Sequence, residues 1–302
     1  MHMALGLALL ELKGPRAAQK HQKRALVLSR EIKDRYLEGK ALNNLANAVG
    51  LSQGDYHAAH DYFLQALSVF QEQGNRVGKG LALANLGWVS TILGEYDAAM
   101  DYYERSLVFN REQGNIMNEM YTYINMSAAA VGQENAAGAL KWARKALEFA
   151  IKAQDRIAQG WGYFYLGHAF LLADQAESAL DAFQKSAQCR NGSTAFILLT
   201  ETRAGLIQAH AAIGNQKAAM IEAEKVYAHI GAEPRFEGAE EPLRIYFALY
   251  SFFKNTKDPR AQEVLQNANQ LLNEQVSKLN SVDAQRIFVE NVPWRQALKQ
   301  AN

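Results

Sequence analysis

The stretch LANLGWVSTILGEYDAAMDYYERSL, residues 83–107, returns in altered form as YLGHAFLLADQAESALDAFQKSA, residues 165–187. Each carries a Leu-Gly pair, then Ala thirteen residues after the Leu, an aromatic four later and a small residue three beyond. These are Leu86, Ala99, Tyr103 and Ser106 in the first and Leu166, Ala179, Phe183 and Ser186 in the second. A fixed period of this kind marks a repeat architecture, because one such unit cannot bury its apolar face alone and needs stacked neighbours.

Working outward, the template picks out Leu45, Ala59, Phe63 and Ala66 (with one extra turn residue), Met126, Ala139, Ala143 and Ala146, and Leu206, Ala219, Ala223 and Val226. At the ends it gives Leu5, Ala18, Gln22 and Ala25, and Ala248, Ala261, Leu265 and Ala268. The anchors 5, 45, 86, 126, 166, 206 and 248 are spaced by 40, 41, 40, 40, 40 and 42 residues. Seven repeats therefore account for nearly all of the 302 residues, and 1–302 is expected to be one solenoid. Length alone, at ~100–200 residues per domain, suggests two compact domains instead.

Each unit reads as two helices. In the third repeat helix A is predicted over about Arg76–Leu93 and helix B over about Tyr96–Gln113, with Gly94 and then Gly114 at the turns. Glycine closes a helix in the left-handed conformation without a Cβ penalty. Pro15 and Pro259 are expected where a helix B begins, with Asp258 as an N-cap. Gly87, Gly167, Ala99 and Ala179 fall where helices A and B approach closely. Residues 231–242, GAEPRFEGAEEP, read as a loop, and 281–302 as a C-terminal cap with one more helix before Pro293 and Trp294.

Composition agrees with an all-α chain: Ala, Leu, Gln, Glu and Lys abound and only five residues are Pro. Lys plus Arg is 32 and Asp plus Glu 31, so no global field favours nucleic acid or an anionic membrane. The single cysteine, Cys189, excludes a disulfide framework and a cysteine-based zinc site. No apolar run approaches the ~18–20 residues of a membrane span. Ala4–Leu10 lacks the basic flank and cleavage site of a signal peptide, so a cytoplasmic protein is expected. Met1 falls inside helix A of the first repeat with no N-cap before it, which reads either as a frayed end or as a cut from a longer chain.

No phosphate-cradling glycine loop, nucleophile elbow or His-Glu-x-x-His occurs, so neither catalysis nor a cofactor is expected. His57 and His60 lie three apart on helix B beside Asp55 and Asp61, but nothing else converges and a solvated face is the expectation. Nine basic residues between Lys13 and Lys40 form a stripe that reads as a solvated helix face, with an acidic partner or a preceding domain as the alternative.

The pattern resembles the tetratricopeptide repeat, a family of antiparallel helix pairs with Leu-Gly early in helix A and Ala…Phe…Ala in helix B. The resemblance covers about residues 3–272, with a period longer than the family's standard unit. It implies a right-handed α-solenoid of about seven helix pairs plus a capping helix, with helix A lining a concave groove. With each anchor as position seven, the family's groove positions carry Lys40, Asn43, Asn44 and Asn47 in the second repeat and Asn85 and Trp88 in the third. They carry Tyr121 and Asn125 in the fourth and Trp161, Tyr165 and His168 in the fifth.

Asn44, Asn85 and Asn125 share one position, and a carboxamide both donates to and accepts from peptide backbone. Trp88, Tyr121, Trp161 and Tyr165 are the large anchors typical of binding hot spots; packing between repeats is the competing expectation. The function this implies is a non-catalytic scaffold that binds a protein or peptide segment, with no nucleic acid or membrane partner. The alternative starts from Arg286–Arg295, RIFVENVPWR, which is similar to the tails of large bacterial signalling ATPases, cyclases and regulators. That resemblance implies a sensing module attached to an upstream domain.

Overall fold

In a computed structural model of the chain, the described residues are 15–191, 196–232, 236 and 239–301. The first anchor, Leu5, the Ala4–Leu10 stretch, Lys13 and Pro234 lie outside them. The described residues form fifteen helices and no strand. They are α1 (Pro15–Glu31), α2 (Arg35–Gln53), α3 (Tyr56–Glu72), α4 (Arg76–Leu93), α5 (Tyr96–Glu112), α6 (Ile116–Gly132), α7 (Ala136–Lys152) and α8 (Arg156–Leu172). There follow α9 (Ala176–Arg190), α10 (Phe196–Ala212), α11 (Gln216–Ala232), α12 (Pro242–Asn255), α13 (Ala261–Val276), α14 (Val282–Glu290) and α15 (Pro293–Gln300). The chain is thus an all-α solenoid of helix pairs, with even-numbered α2 to α12 in the helix A role.

Residue contacts divide it into two compact units. The first holds the chain up to Thr122 together with Lys278–Ala284; the second holds Tyr123–Ser277 and Gln285–Asn302.

One turn device recurs at the ends of the helices. A residue in the left-handed region is followed by an N-cap, as at Gly74-Asn75 (φ 63° at the glycine) and Gly54-Asp55. Asn75 accepts the backbone N–H of Gly78 at 2.9 Å and Asp55 that of Ala58 at 3.0 Å, satisfying amides that the first helical turn leaves orphaned.

Small residues set the helix spacing. Ala59, Ala99, Ala139, Ala179 and Ala219 are all fully buried at 0% exposure, which confirms the register. Ser106 and Ser186 each donate across the pair to a glycine carbonyl, Gly80 and Gly160, both at 2.8 Å. Rings seat against missing Cβ atoms. A Cβ on Gly39 or Gly78 would come within 2.6 or 2.5 Å of Phe70, and one on Gly167 or Gly205 within 2.7 or 2.4 Å of Phe183.

Two expectations need correction. The C-terminal segment is two helices rather than one, because Pro293 opens α15 at its first turn, where a missing N–H is harmless. Helix α13 starts at Ala261, capped by Arg260 rather than Asp258. The Asp258 carboxylate instead accepts the Arg260 amide at 3.0 Å and pairs with its guanidinium.

Candidate functional site

In the first unit, the starts of successive A helices carry exposed apolar side chains one turn apart. They are Tyr36 on α2, Val77 and Leu81 on α4, and Met117 and Tyr121 on α6. Lys40 is exposed at the position equivalent to Leu81 and Tyr121, with its ammonium 5.3 Å from the Tyr36 ring centroid. Residues four apart lie one above the other on a helix, so each pair forms a continuous patch. The groove register had included Lys40 and Tyr121; Tyr36, Val77 and Met117 were missed, though their spacing of 41 and 40 residues was readable.

The asparagines of this unit divide. Asn43 is buried, and its side-chain oxygen accepts from Asn85 Nδ2 at 2.9 Å, while Asn47 donates to the Asn43 carbonyl at 3.1 Å. Asn44 is half-buried. Trp88 is half-buried beside Gly50 and meets the Tyr56 ring edge-on at 6.4 Å. Two members of the basic stripe are paired: Arg30 and Arg35 hold Glu38 at 2.8 and 2.6 Å, and Arg35 also reaches Glu72. His57 is not simply solvated; its Nε2 lies 2.5 Å from Asn280 Nδ2 in the returning segment.

In the second unit, Asn125 and Trp161 are half-buried, whereas Tyr165 and His168 are buried at 2% and 6% exposure. Trp161 stacks on Tyr165 with ring centroids 6.1 Å apart, and the Arg190 guanidinium lies 4.2 Å from the Trp161 centroid. His168 stands edge-on to Phe164 and Phe183 at 4.7 and 5.0 Å. Burial, then the charges of Arg244 and Arg190, hold its pKa well below the ordinary imidazole value.

Around these rings lies a buried charge cluster that the sequence reading did not find. The Tyr165 hydroxyl bonds the Glu240 carboxylate, and Arg295 pairs with Glu241. Arg190 donates to the Leu198 carbonyl at 2.6 Å and to Thr202 at 2.8 Å, and lies 4.0 Å from Glu201. Burial lowers Arg190 to about 10. Glu201 accepts the Glu240 amide at 2.8 Å, so the segment read only as a loop delivers two acids into the core. Extending the groove register to the sixth repeat puts Glu201 at position two and Gln208 at position nine, a signal that was available.

Burial pushes the Glu201 carboxyl up to about 7. A carboxyl whose folded pKa is raised keeps a proton that the unfolded chain has released. Its stabilisation is therefore complete below the unfolded value of ~4.3 and is lost as pH rises through about 7. Wild type should accordingly lose on the order of 3 kcal/mol more than Glu201→Gln between those pH values. Urea midpoints measured across the range check this; parallel pH profiles for the two proteins would refute it.

Among the described residues no group of three His, Cys, Asp or Glu is placed to hold a metal. None of the described helices is long and apolar enough to cross a membrane.

The tetratricopeptide repeat family model matches residues 1–72 and 41–108. No curated protein matches the sequence. Among solved structures, NprR in complex with its cognate peptide NprX is similar at TM-score 0.68 and 14% identity, over 100% of this chain and 86% of that one. A Rap protein complexed with competence and sporulation factor is similar at TM-score 0.63 and 11% identity, over 99% of this chain and 97% of that one. A tetratricopeptide repeat protein from Parabacteroides merdae matches at TM-score 0.53 and 15% identity, over 96% of both chains. At these identities the likeness is one of fold, and the fold is that of tetratricopeptide solenoids.

Proposed function

We propose that the protein is a non-catalytic, cytoplasmic scaffold that holds a segment of a protein or peptide partner along its A helices. The observation that carries this is the register-matched exposure of Tyr36, Val77, Leu81, Met117 and Tyr121 beside Asn44 and Asn85. Isolated exposed apolar residues are ordinary on a protein surface, but a contiguous rank of them with carboxamides alongside suits a peptide main chain and its side chains. NprR and the Rap protein, similar in fold, are bound to the cognate peptide NprX and to competence and sporulation factor. In the second unit, Asn125 and Trp161 extend the same positions.

The reading is tested with peptides selected from a displayed random library against the folded protein. Asn85→Ala with Trp88→Ala is expected to weaken the selected peptide by ~1–3 kcal/mol, measured by fluorescence anisotropy. Because Trp88 also packs against its own unit, Tyr121→Ala serves as an exposed companion with the same expected direction. Unchanged affinity in both folded variants would remove this face from the argument. A second reading, in which the bound segment is a signal read by an upstream domain of a larger regulator, draws on the likeness to NprR, a quorum sensor.

A further inference from the structure

The second unit holds a partly open cavity of about 450 Å³. His168 on α8, Gln208 on α10 and Arg244 and Phe247 on α12 form one side of it, and Trp294 and Ala297 on α15 form another. Its size lies within the ~300–1,000 Å³ range of small-ligand sites and far above the ~30 Å³ share of one water.

Three polar groups on its wall lack protein partners. Arg244 is only 8% exposed, yet its guanidinium makes no hydrogen bond or close ion pair among the described residues, the charges of Tyr165, Glu201, Glu241 and Glu240 acting on it at longer range. Ring faces surround it instead: its guanidinium carbon lies 5.0 Å from the Phe164 centroid, 5.7 Å from Tyr165 and 5.2 Å from Trp294. The nearby carboxylates have other partners, Glu241 in Arg295, Glu240 in Tyr165 and Glu201 in the Glu240 amide, although one oxygen each of Glu201 and Glu241 stays unpartnered and none of the three acids lines the cavity. His168 Nε2 and Trp294 Nε1 are buried and likewise unpartnered. Buried polar atoms are ordinarily satisfied, so three orphans around one cavity call for an explanation.

Two of the three are donors only: guanidinium and indole N–H groups cannot accept, while His168 Nε2 donates or accepts according to its tautomer. We propose that this cavity is a binding site for a carboxylate group attached to an apolar body. A carboxylate only accepts, and its two oxygens match the planar fork of an arginine. Leu171, Leu172 and Pro293 supply the apolar wall for the rest of the ligand. Glu134, which is exposed, is the one acid among the lining residues. The proposal deepens the scaffold reading and rests on it for the source of the carboxylate, a peptide C-terminus or an Asp or Glu side chain.

Benzoate and benzamide, nearly equal in shape and different in charge, are the probes. Titrated into the full chain, benzoate is expected to shift the Trp294 indole N–H resonance saturably, with benzamide at least tenfold weaker. The resonance is assigned by its loss in Trp294→Phe. Arg244→Gln should abolish the preference for benzoate. Should that variant fail to fold, Ala297→Trp fills the cavity from α15, leaves Arg244 in place and should abolish binding of both probes. Equal response to the two probes, or benzoate binding that survives Ala297→Trp, overturns the proposal.

Selected peptides then separate the sources. A tenfold loss on C-terminal amidation assigns the terminal carboxylate, and a loss only on Asp or Glu to Asn or Gln replacement assigns a side chain. Failure with benzoate while Tyr121→Ala still weakens peptide would remove the cavity and leave the scaffold; the reverse pattern would remove the A-helix face and leave the cavity.

Discussion

Arg295→Met is expected to destabilise the second unit by ~3–5 kcal/mol, because it strands a buried carboxylate. Arg295 is 1% exposed, pairs with Glu241 at the start of α12, donates to the Phe288 carbonyl at 3.2 Å and lies 3.8 Å from the Phe288 centroid. These contacts tie α15 to α12 and α14. Taking two charges out of water offsets much of their attraction, so the pair itself adds little net stability. Removing one member is the costly event. The double variant Glu241→Leu with Arg295→Met should therefore recover most of what the single one loses. Urea unfolding of both singles and the double gives the coupling directly, and additive losses would refute this account. Since Trp294 neighbours Arg295 and lines the cavity, a loosened α15 would also open that site.

Phe183→Ala should destabilise by a similar ~3–5 kcal/mol, for a packing reason. The ring is fully buried at 0% exposure, wedged against Gly167 and Gly205 and edge-on to Phe164 and His168. Deleting it leaves a void that two glycines cannot fill. From the other side, Gly205→Ala pushes a Cβ to 2.4 Å from the ring, an overpacking that costs ~1–3 kcal/mol although alanine favours helix. Phe183→Leu combined with Gly205→Ala should then be less harmful than the two losses summed. Thermal denaturation of the three variants measures it, and a strictly additive double would mean that the glycine does not make room for the ring.

The repeat was legible because it is local. Leu86, Ala99 and Tyr103 take their meaning from spacings inside one helix pair, and the third repeat's helix A ran over Arg76–Leu93 as read. The start of α13 was misplaced by a few residues because Pro259 and Asp258 act through a turn rather than at its first helical positions. Placing the groove residues required knowledge of neighbours. Tyr165 and His168 sit in the register of the groove, but the fold buries both, Tyr165 bonded to Glu240 and His168 packed against Phe164 and Phe183 at the cavity wall. Most of the charge cluster was illegible for the same reason: Glu201 stands in the groove register, but Arg190, Glu241 and Arg295 are scattered along the chain and meet it only after folding. Periodicity says which face a residue takes, and long-range pairing decides what covers that face.

The segment Lys278–Ala284 belongs with the first unit, and Asn280 meets His57, 223 residues upstream. A ribosome adds about 5–20 residues per second, so roughly 11–45 s separate the synthesis of these two partners. Helices form within microseconds, and the early pairs stand long before their last piece arrives. The Tyr165–Glu240 bond spans 75 residues and the Arg295–Glu241 pair 54, against 223 here. Birth order is therefore not assembly order: the first unit is not complete until Lys278–Ala284 has followed the second unit's helices off the ribosome.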